Sequence, residues 1–522
     1  MIDKKFNFIN LILIFITSFS ANFYYGSIGV FPIDTFAFFD SANLINKDFL
    51  PIKDFWVSNG LLVDLIQSVI FKFFGVSWST YLVHSSFVNF IFSVFTYKFL
   101  INEGLDLKSS LFYSLSVALL AYPTVGVPFS DHHSLFLSII AVYLMTFFFK
   151  TESKILLFII PFILAFAFLS KQIPSSFFLI LIILCILIYS ILKKNYTFII
   201  LFIISSAAAL FLFLFFLFIN EIEVKDFFLQ YILFPLTIGV ERQGGLSFKI
   251  FISKLFNEYK FFLILGSILI YQVIKEYKIR KNIFNQLINS NFIFLLIIFI
   301  AIINQILMKN QNIIFFLLPI LIGIIHIYIN SNDNKKFKFF LIIIIIAFNI
   351  FITTKYHYRF NIDRKFMDLK TIDKSLTVDA ELISKRLKGL KWVTVESQNN
   401  IKNEVQLLKD SIDYLKVNKN KSLIISYYQF ILSEIDHDIY SPNRWYTKDG
   451  VSYPLRDNRY YSYYVKFYKK KLAEKEIEKI FTIYPLDQGA FNFVLDDNCF
   501  KTTKINKILY KHDLLNCFEN EK

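Results

Sequence analysis

Cysteine, glycine and proline are all scarce in this chain of 522 residues, with 3, 14 and 11 copies. No glycine-rich nucleotide-binding motif is present, which argues against a nucleotide-bound substrate. No internal repeat is visible, and transporters usually carry paired, similar halves. No low-complexity linker separates one part of the chain from another. No small-x-small cleavage site closes the apolar run near the N-terminus, so that run reads as an uncleaved anchor rather than a signal peptide. Acidic residues are outnumbered 40 to 55 by Lys and Arg, giving a net charge of +15. Nucleic-acid binding is the reflex inference from that charge, and the placement of the basic residues excludes it.

What the chain has instead is apolar bulk: 56% hydrophobic residues, 66 of them Phe. A soluble domain cannot hide that much apolar surface, and a bilayer span needs roughly 20 apolar residues. Eleven stretches read as spans, near 6–25, 80–100, 109–122, 133–149, 155–169, 173–192, 197–219, 260–274, 291–308, 313–329 and 339–354, the third and fifth of them short. Lys4/Lys5, Lys150/Lys154, Lys193/Lys194, Lys275/Lys278/Arg280/Lys281 and Lys335/Lys336/Lys338 fall in alternate short loops, the orientation signal of a cytoplasmic side. The opposite loops differ: 26–79 carries three Lys against five Asp, and 220–259 carries four basic against five acidic residues. The expected architecture is a polytopic α-helical membrane domain over 1–354, with a large first outer loop at 26–79. An odd number of spans places 355–522 outside the cytoplasm of a bacterial inner membrane.

The tail has its own pattern. Short apolar runs at 422–426, 479–486 and 491–496 read as strands, and helical periodicity covers 372–388, 402–417 and 461–478, so 355–522 reads as an α/β domain. Cys185 lies in an apolar span. Cys499 and Cys517 lie in the exported tail, where an oxidising compartment permits a disulfide between them. Within the first loop, the segment 60–75 has apolar residues at helical spacing interrupted by Asp64, Gln67 and Lys72, the pattern of a helix lying in the membrane interface.

The key acidic cluster lies in that loop, which reads FPIDTFAFFDSANLINKDFLPIKDFW and holds Asp34, Asp40, Asp48 and Asp54. Asp34 follows Pro32 just beyond the first span; taken alone, it is a helix cap. In combination with Ala42, Pro51, Asp54, Phe55, Gly60, Leu61 and Phe74-Gly75, it resembles the type-C glycosyltransferase superfamily, in particular the bacterial branch related to protein-mannosyltransferase and aminoarabinose-transferase enzymes. Two departures stand out: Asp48 sits where glycine is usual, and Leu61 follows Gly60 without the usual proline. Asp131 in PFSDHHSLF is similar to a second outer-loop acid of such enzymes, AFLSKQIPSS (166–176) to their Lys-containing stretch, and KNQNIIFFLLP (309–319) to their polar entry to a late span.

The resemblance implies transfer of a sugar from a polyprenyl-phosphate donor to a hydroxyl acceptor at the outer membrane face. It makes Asp34 the catalytic base and Asp131 its catalytic partner; the candidate substrate-binding residues are Asp54, His132, Lys171, Arg242 and Lys309. Lys171, Arg242 and Lys309 read either as cations for a lipid phosphate or as side chains snorkelling to headgroups. Asp131-His132-His133 is either a corner for a divalent metal or a polar cap on a span. The aromatic segment 440–454 is a sugar-stacking surface or a belt on the bilayer. A polysaccharide polymerase or ligase, or a lipid-linked sugar flippase, is the rival function. Membrane lipids are expected partners; the sequence carries no signal for oligomeric state.

Overall fold

The computed structural model describes residues 7–122, 126–243, 247–280, 288–307, 313–330, 334–363, 367, 369, 373–397, 400–436, 439–446, 450–486 and 499–515. Helices lie on all eleven predicted stretches. Six of them are long and apolar enough to cross a bilayer: Phe8–Tyr25, Ser130–Thr151, Gln172–Leu192, Thr197–Ile219, Ser290–Leu307 and Lys335–Ile362. Leu107–Leu120, Lys154–Ser170 and Ile314–Asn330 are shorter apolar helices. Trp78–Asn102 and Lys260–Arg280 complete the set, both carrying more polar residues. The chain is a multi-pass α-helical membrane protein with a small mixed-sheet domain at its C-terminal end.

Local chemistry sets the helix ends. Ser77 and Thr80 form a reciprocal capping box at the start of Trp78–Asn102, and the Asp106 carboxylate accepts from the Lys108 and Ser109 amides, both at 3.0 Å; each satisfies amides that have no partner inside the helix. Lys171, with extended backbone, separates Lys154–Ser170 from Gln172–Leu192. The bundle core is aromatic: Phe92 stacks on Phe136 at 4.4 Å and meets Phe316 edge-on, while Phe99 stacks on Tyr143.

In the C-terminal domain, strands β1 (Val378–Asp379) and β2 (Lys391–Trp392) pair antiparallel. Five further strands, β3 (Ser422–Ser426), β4 (Ile439–Tyr440), β5 (Lys479–Ile483), β6 (Phe500–Lys504) and β7 (Leu509–Leu514), form a sheet in the order β4-β3-β5-β7-β6. β3 runs parallel to both β4 and β5; β7 is antiparallel to β5 and β6. The predicted strands at 422–426 and 479–486 and the helices at 402–417 and 461–478 are present as β3, β5, Ile401–Val417 and Tyr461–Glu474. The segment 491–496 lies outside the described residues. The helix expected over 372–388 does not form: β1 and three single 3-10 turns take its place. Its apolar residues Ala380, Ile383 and Leu387 are buried one by one, and Ala380 bonds to Leu390 at 2.9 Å instead of continuing a helix.

The tail is not a separate ball. Gly29 donates to Lys391 O and Val30 to Val393 O, each at 2.9 Å, and Lys391 donates back to Ser27 O at 2.8 Å. Phe36 packs between Trp78, Trp392 and Phe430, in one hydrophobic cluster that draws on the long loop after the first membrane helix and on residues from Met367 to Leu509. The long loop after the first span therefore has structure because the tail, more than 300 positions later, supplies the other half of its core.

Candidate functional site

The loop is built from two short helices, Pro32–Thr35 and Phe39–Ile45, followed by a turn and the helix Leu61–Phe74. Pro32 at the first helical position needs no amide partner there. The chain leaves Phe39–Ile45 through Asp48, whose φ is +64°. That left-handed conformation is free for glycine and tolerated by Asp, so the departure at Asp48 preserves the backbone. At Gly60 φ is +74° and an added Cβ would lie 2.5 Å from the Phe38 ring; here no other residue fits.

Four of the loop's five carboxylates do different work. Asp40 is buried and accepts from the Leu432 and Ser433 amides of the tail at 3.4 and 3.2 Å. Burial pushes its carboxyl up to about 8, against the pull of those two amides and of Lys47. Asp54 accepts from the Leu50 amide at 2.8 Å and lies 3.6 Å from the Lys471 ammonium of the tail, so it orders the turn before Phe55. Asp64, fully buried, pairs with Arg444 of the tail and also accepts from Ser41. Asp34 lies in the first turn of Pro32–Thr35, half-buried, directly after the first membrane helix ends at Tyr25.

Arg444 is the main fastener between tail and loop. Its guanidinium reaches Asp64 and the Asn59 carbonyl and stands 4.9 Å over the Phe38 ring and 5.4 Å over Trp445. A cavity of about 20 Å³, room for a water, lies between Asp40, Ser41, Phe55, Tyr428, Asn443 and Arg444. In the aromatic segment around Arg444, Tyr440, Tyr446 and Tyr453 are buried in the domain core rather than offered to a sugar or a bilayer, and Trp56 of the loop donates its amide to Pro442 O at 2.7 Å while its ring meets Tyr464 and Phe467.

A second centre lies on the other side of the Ser58–Gly60 turn. Asp131, in the first turn of Ser130–Thr151, holds the Lys171 ammonium with both oxygens at 2.7 Å, and both side chains are largely buried. Gly60 donates to Ser170 O at 2.8 Å, and the Gln172 amide reaches Ser58 O at 2.8 Å and Tyr231 O at 2.5 Å. The turn is thus gripped by Arg444 from the tail and by the break around Lys171 from the bundle. Two residues picked out separately in the sequence, Asp131 and Lys171, meet here as one ion pair.

His132 and His133 point differently. His132 is buried, stacked on Tyr122 with ring centroids 4.6 Å apart, and neither ring nitrogen has a hydrogen-bond partner among the described residues. His133 lies 3.0 Å from His84, which in turn meets Gln67 of the loop helix at 2.9 Å. No group of three or more metal-ligating side chains is found among the described residues. Arg242 lies in the helix Phe234–Gln243, but its side chain is outside the described residues, as are Lys309 and Cys517. Cys499 is disulfide-bonded, and Cys185 is free and buried.

Asp64, Arg444 and the contact of Asp40 with the tail were not singled out from the sequence. Asp64 had announced itself only as an interruption of an apolar helix face. Arg444 carried no signal, since its partner lies 380 positions away. No family model matches this chain, and no curated protein matches it.

Proposed function

We propose that this chain is a membrane glycosyltransferase of the type-C kind. It transfers a sugar from a polyprenyl-phosphate carrier to a hydroxyl acceptor at the outer face of the cytoplasmic membrane, with 355–522 on that face. The observation that carries the proposal is the position of Asp34, half-buried in the first turn of Pro32–Thr35, just past Tyr25, where the first membrane helix ends. A lipid-borne sugar sits at that level.

An acceptor hydroxyl is too weakly acidic to attack unaided, and a carboxylate within hydrogen-bond reach takes its proton as the bond to the sugar forms. The departing lipid phosphate gains charge, which cations must hold. Asp34 serves as the base. Asp131 acts as a positioning residue through Lys171, since that pair anchors the turn that carries Gly60. Asp34→Asn keeps the shape of the side chain and cannot accept a proton at neutral pH. With purified protein and a panel of polyprenyl-phosphate sugars, release of polyprenyl phosphate should fall by about 10²–10⁴ while thermal stability is unchanged. Near-normal release by this variant would remove Asp34 from the mechanism.

A further inference from the structure

The end of the last membrane helix carries cations that neither the loop nor the Asp131–Lys171 centre uses. Lys355 and Arg359 stand one turn apart on one face where the Lys335–His357 helix passes into a single π-helical turn, Tyr358–Ile362. Lys260 opens the helix Lys260–Arg280. The Lys260 and Lys355 ammonium groups lie over the same ring, Phe261, at 5.8 and 4.9 Å from its centroid. Lys260 and Arg359 both act electrostatically on Lys355, and none of the three belongs to an ion pair among the described residues. The guanidinium Nε of Arg359 is buried without a hydrogen-bond partner.

Lys260 and Lys355 share the Phe261 ring and Arg359 stands 5.4 Å over Phe360; like charges gathered this closely repel one another unless something negative joins them. The floor beneath them is rigid: Phe315 stacks on Tyr356 at 3.7 Å and on Phe360 at 5.7 Å, and Phe261 meets Phe348, Phe351 and Tyr356 edge-on. The site is at the loop end of the bundle, because His357 of the same helix meets the Tyr25 hydroxyl at 3.1 Å. It also opens to lipid. Below Lys355, at helical spacing, Phe351, Ile344, Phe340 and Phe337 are all exposed, and below Lys260 so are Ile264 and Ile268.

We infer that Lys260, Lys355 and Arg359 form a binding site for the phosphate of a lipid, which enters from the bilayer and lays its chain along the Phe351–Ile344–Phe340 face. Arg359 supplies a forked donor and the two lysines supply point charges. This deepens the proposed function by placing the carrier's phosphate, but a phospholipid headgroup offers the same chemistry.

The test uses full-length protein in phosphatidylcholine nanodiscs and measures binding of decaprenyl phosphate, decaprenol and phosphatidylglycerol by native mass spectrometry. Decaprenyl phosphate should bind, decaprenol should not compete, and each of Lys260→Gln, Lys355→Gln and Arg359→Gln should weaken binding roughly tenfold, the loss of one charge-assisted contact. Lys53→Gln, at an exposed ion pair with Glu221, should leave it unchanged. Preference for decaprenyl phosphate over phosphatidylglycerol identifies the carrier; equal binding identifies a bulk anionic lipid, and either result supports a phosphate site. Equal binding of decaprenol, or unchanged affinity in all three variants, overturns it. Binding is read without any transfer reaction, so a protein that binds decaprenyl phosphate yet releases no sugar would refute the enzyme proposal and leave this site standing.

Discussion

Arg444 and Asp64 are almost wholly withdrawn from solvent, so their worth is measured by what happens when one is left alone. Removing one partner of a buried pair leaves an uncompensated charge, at a cost of about 3–5 kcal/mol, while replacing both with apolar residues can be neutral. Arg444→Met should therefore lower the melting temperature sharply, and Asp64→Leu added to it should recover part of the loss; additive losses in that double-mutant cycle would show that the pair does not fasten the tail. Asp40 gives a pH signature at the same junction. Its carboxyl is raised from 3.8 in the unfolded chain to about 8 when folded, so between those values the folded state holds a proton that the unfolded state has released. Its contribution to stability is full below about pH 4 and declines as pH rises toward 8. Asp40→Asn should flatten that decline in melting temperature between pH 5 and pH 8; an unchanged slope would mean that another group sets it.

At the scale of elements, Gly126 marks a place where backbone packs on backbone. Gly126, between Leu107–Leu120 and Ser130–Thr151, has φ +70°, and a Cβ there would lie 2.2 Å from the Asn22 carbonyl oxygen and 2.8 Å from the Gly26 amide. The carbonyl of Gly126 also accepts from the Asn22 side chain at 3.1 Å and from Ser85. Because the obstacle is backbone, no rotamer change relieves it. Gly126→Ala should cost about 1–3 kcal/mol by overpacking, plus the strain of its backbone angle. Thermal denaturation in detergent reads this directly, and an unaltered melting temperature would show that the turn can move away. The helix Leu61–Phe74 illustrates what could be read in advance at this scale. Its interrupted apolar pattern predicted a helix, and one forms over Leu61–Phe74, with Val69, Phe73 and Phe74 exposed while Asp64 and Gln67 are buried. The polar interruptions proved to be its contacts, Asp64 to Arg444 and Gln67 to His84.

For the whole molecule, alternate clustering of Lys and Arg predicts one orientation, with the tail outside. An alkaline phosphatase domain fused after Lys522 should be active in intact bacteria; activity only of a cytoplasmic reporter at that position would reverse the topology and bury the transferase proposal with it. The tail also closes the first loop, through Arg444, the amides of Leu432 and Ser433, and the backbone pairing of Gly29 and Val30 with Lys391 and Val393. In consequence the two regions form one unit on one end of the bundle.

Much of this was legible because it depends on near neighbours. Apolar runs of span length, caps such as Asp106, and the alternation of strand and helix in β3, Ile401–Val417 and β5 follow from local periodicity, and the acid-rich loop marked its own position. The failed helix over 372–388 has the opposite cause: its periodic apolar residues were satisfied by partners elsewhere in the chain. What only the tertiary structure decided are the pairings between residues far apart in sequence: Asp64 with Arg444, Asp131 with Lys171, and Lys260 beside Lys355 and Arg359. Charge and polarity are properties of single residues and can be read one at a time. Which buried charge faces which depends on how distant segments share a core, and the local pattern of one segment holds no record of the other.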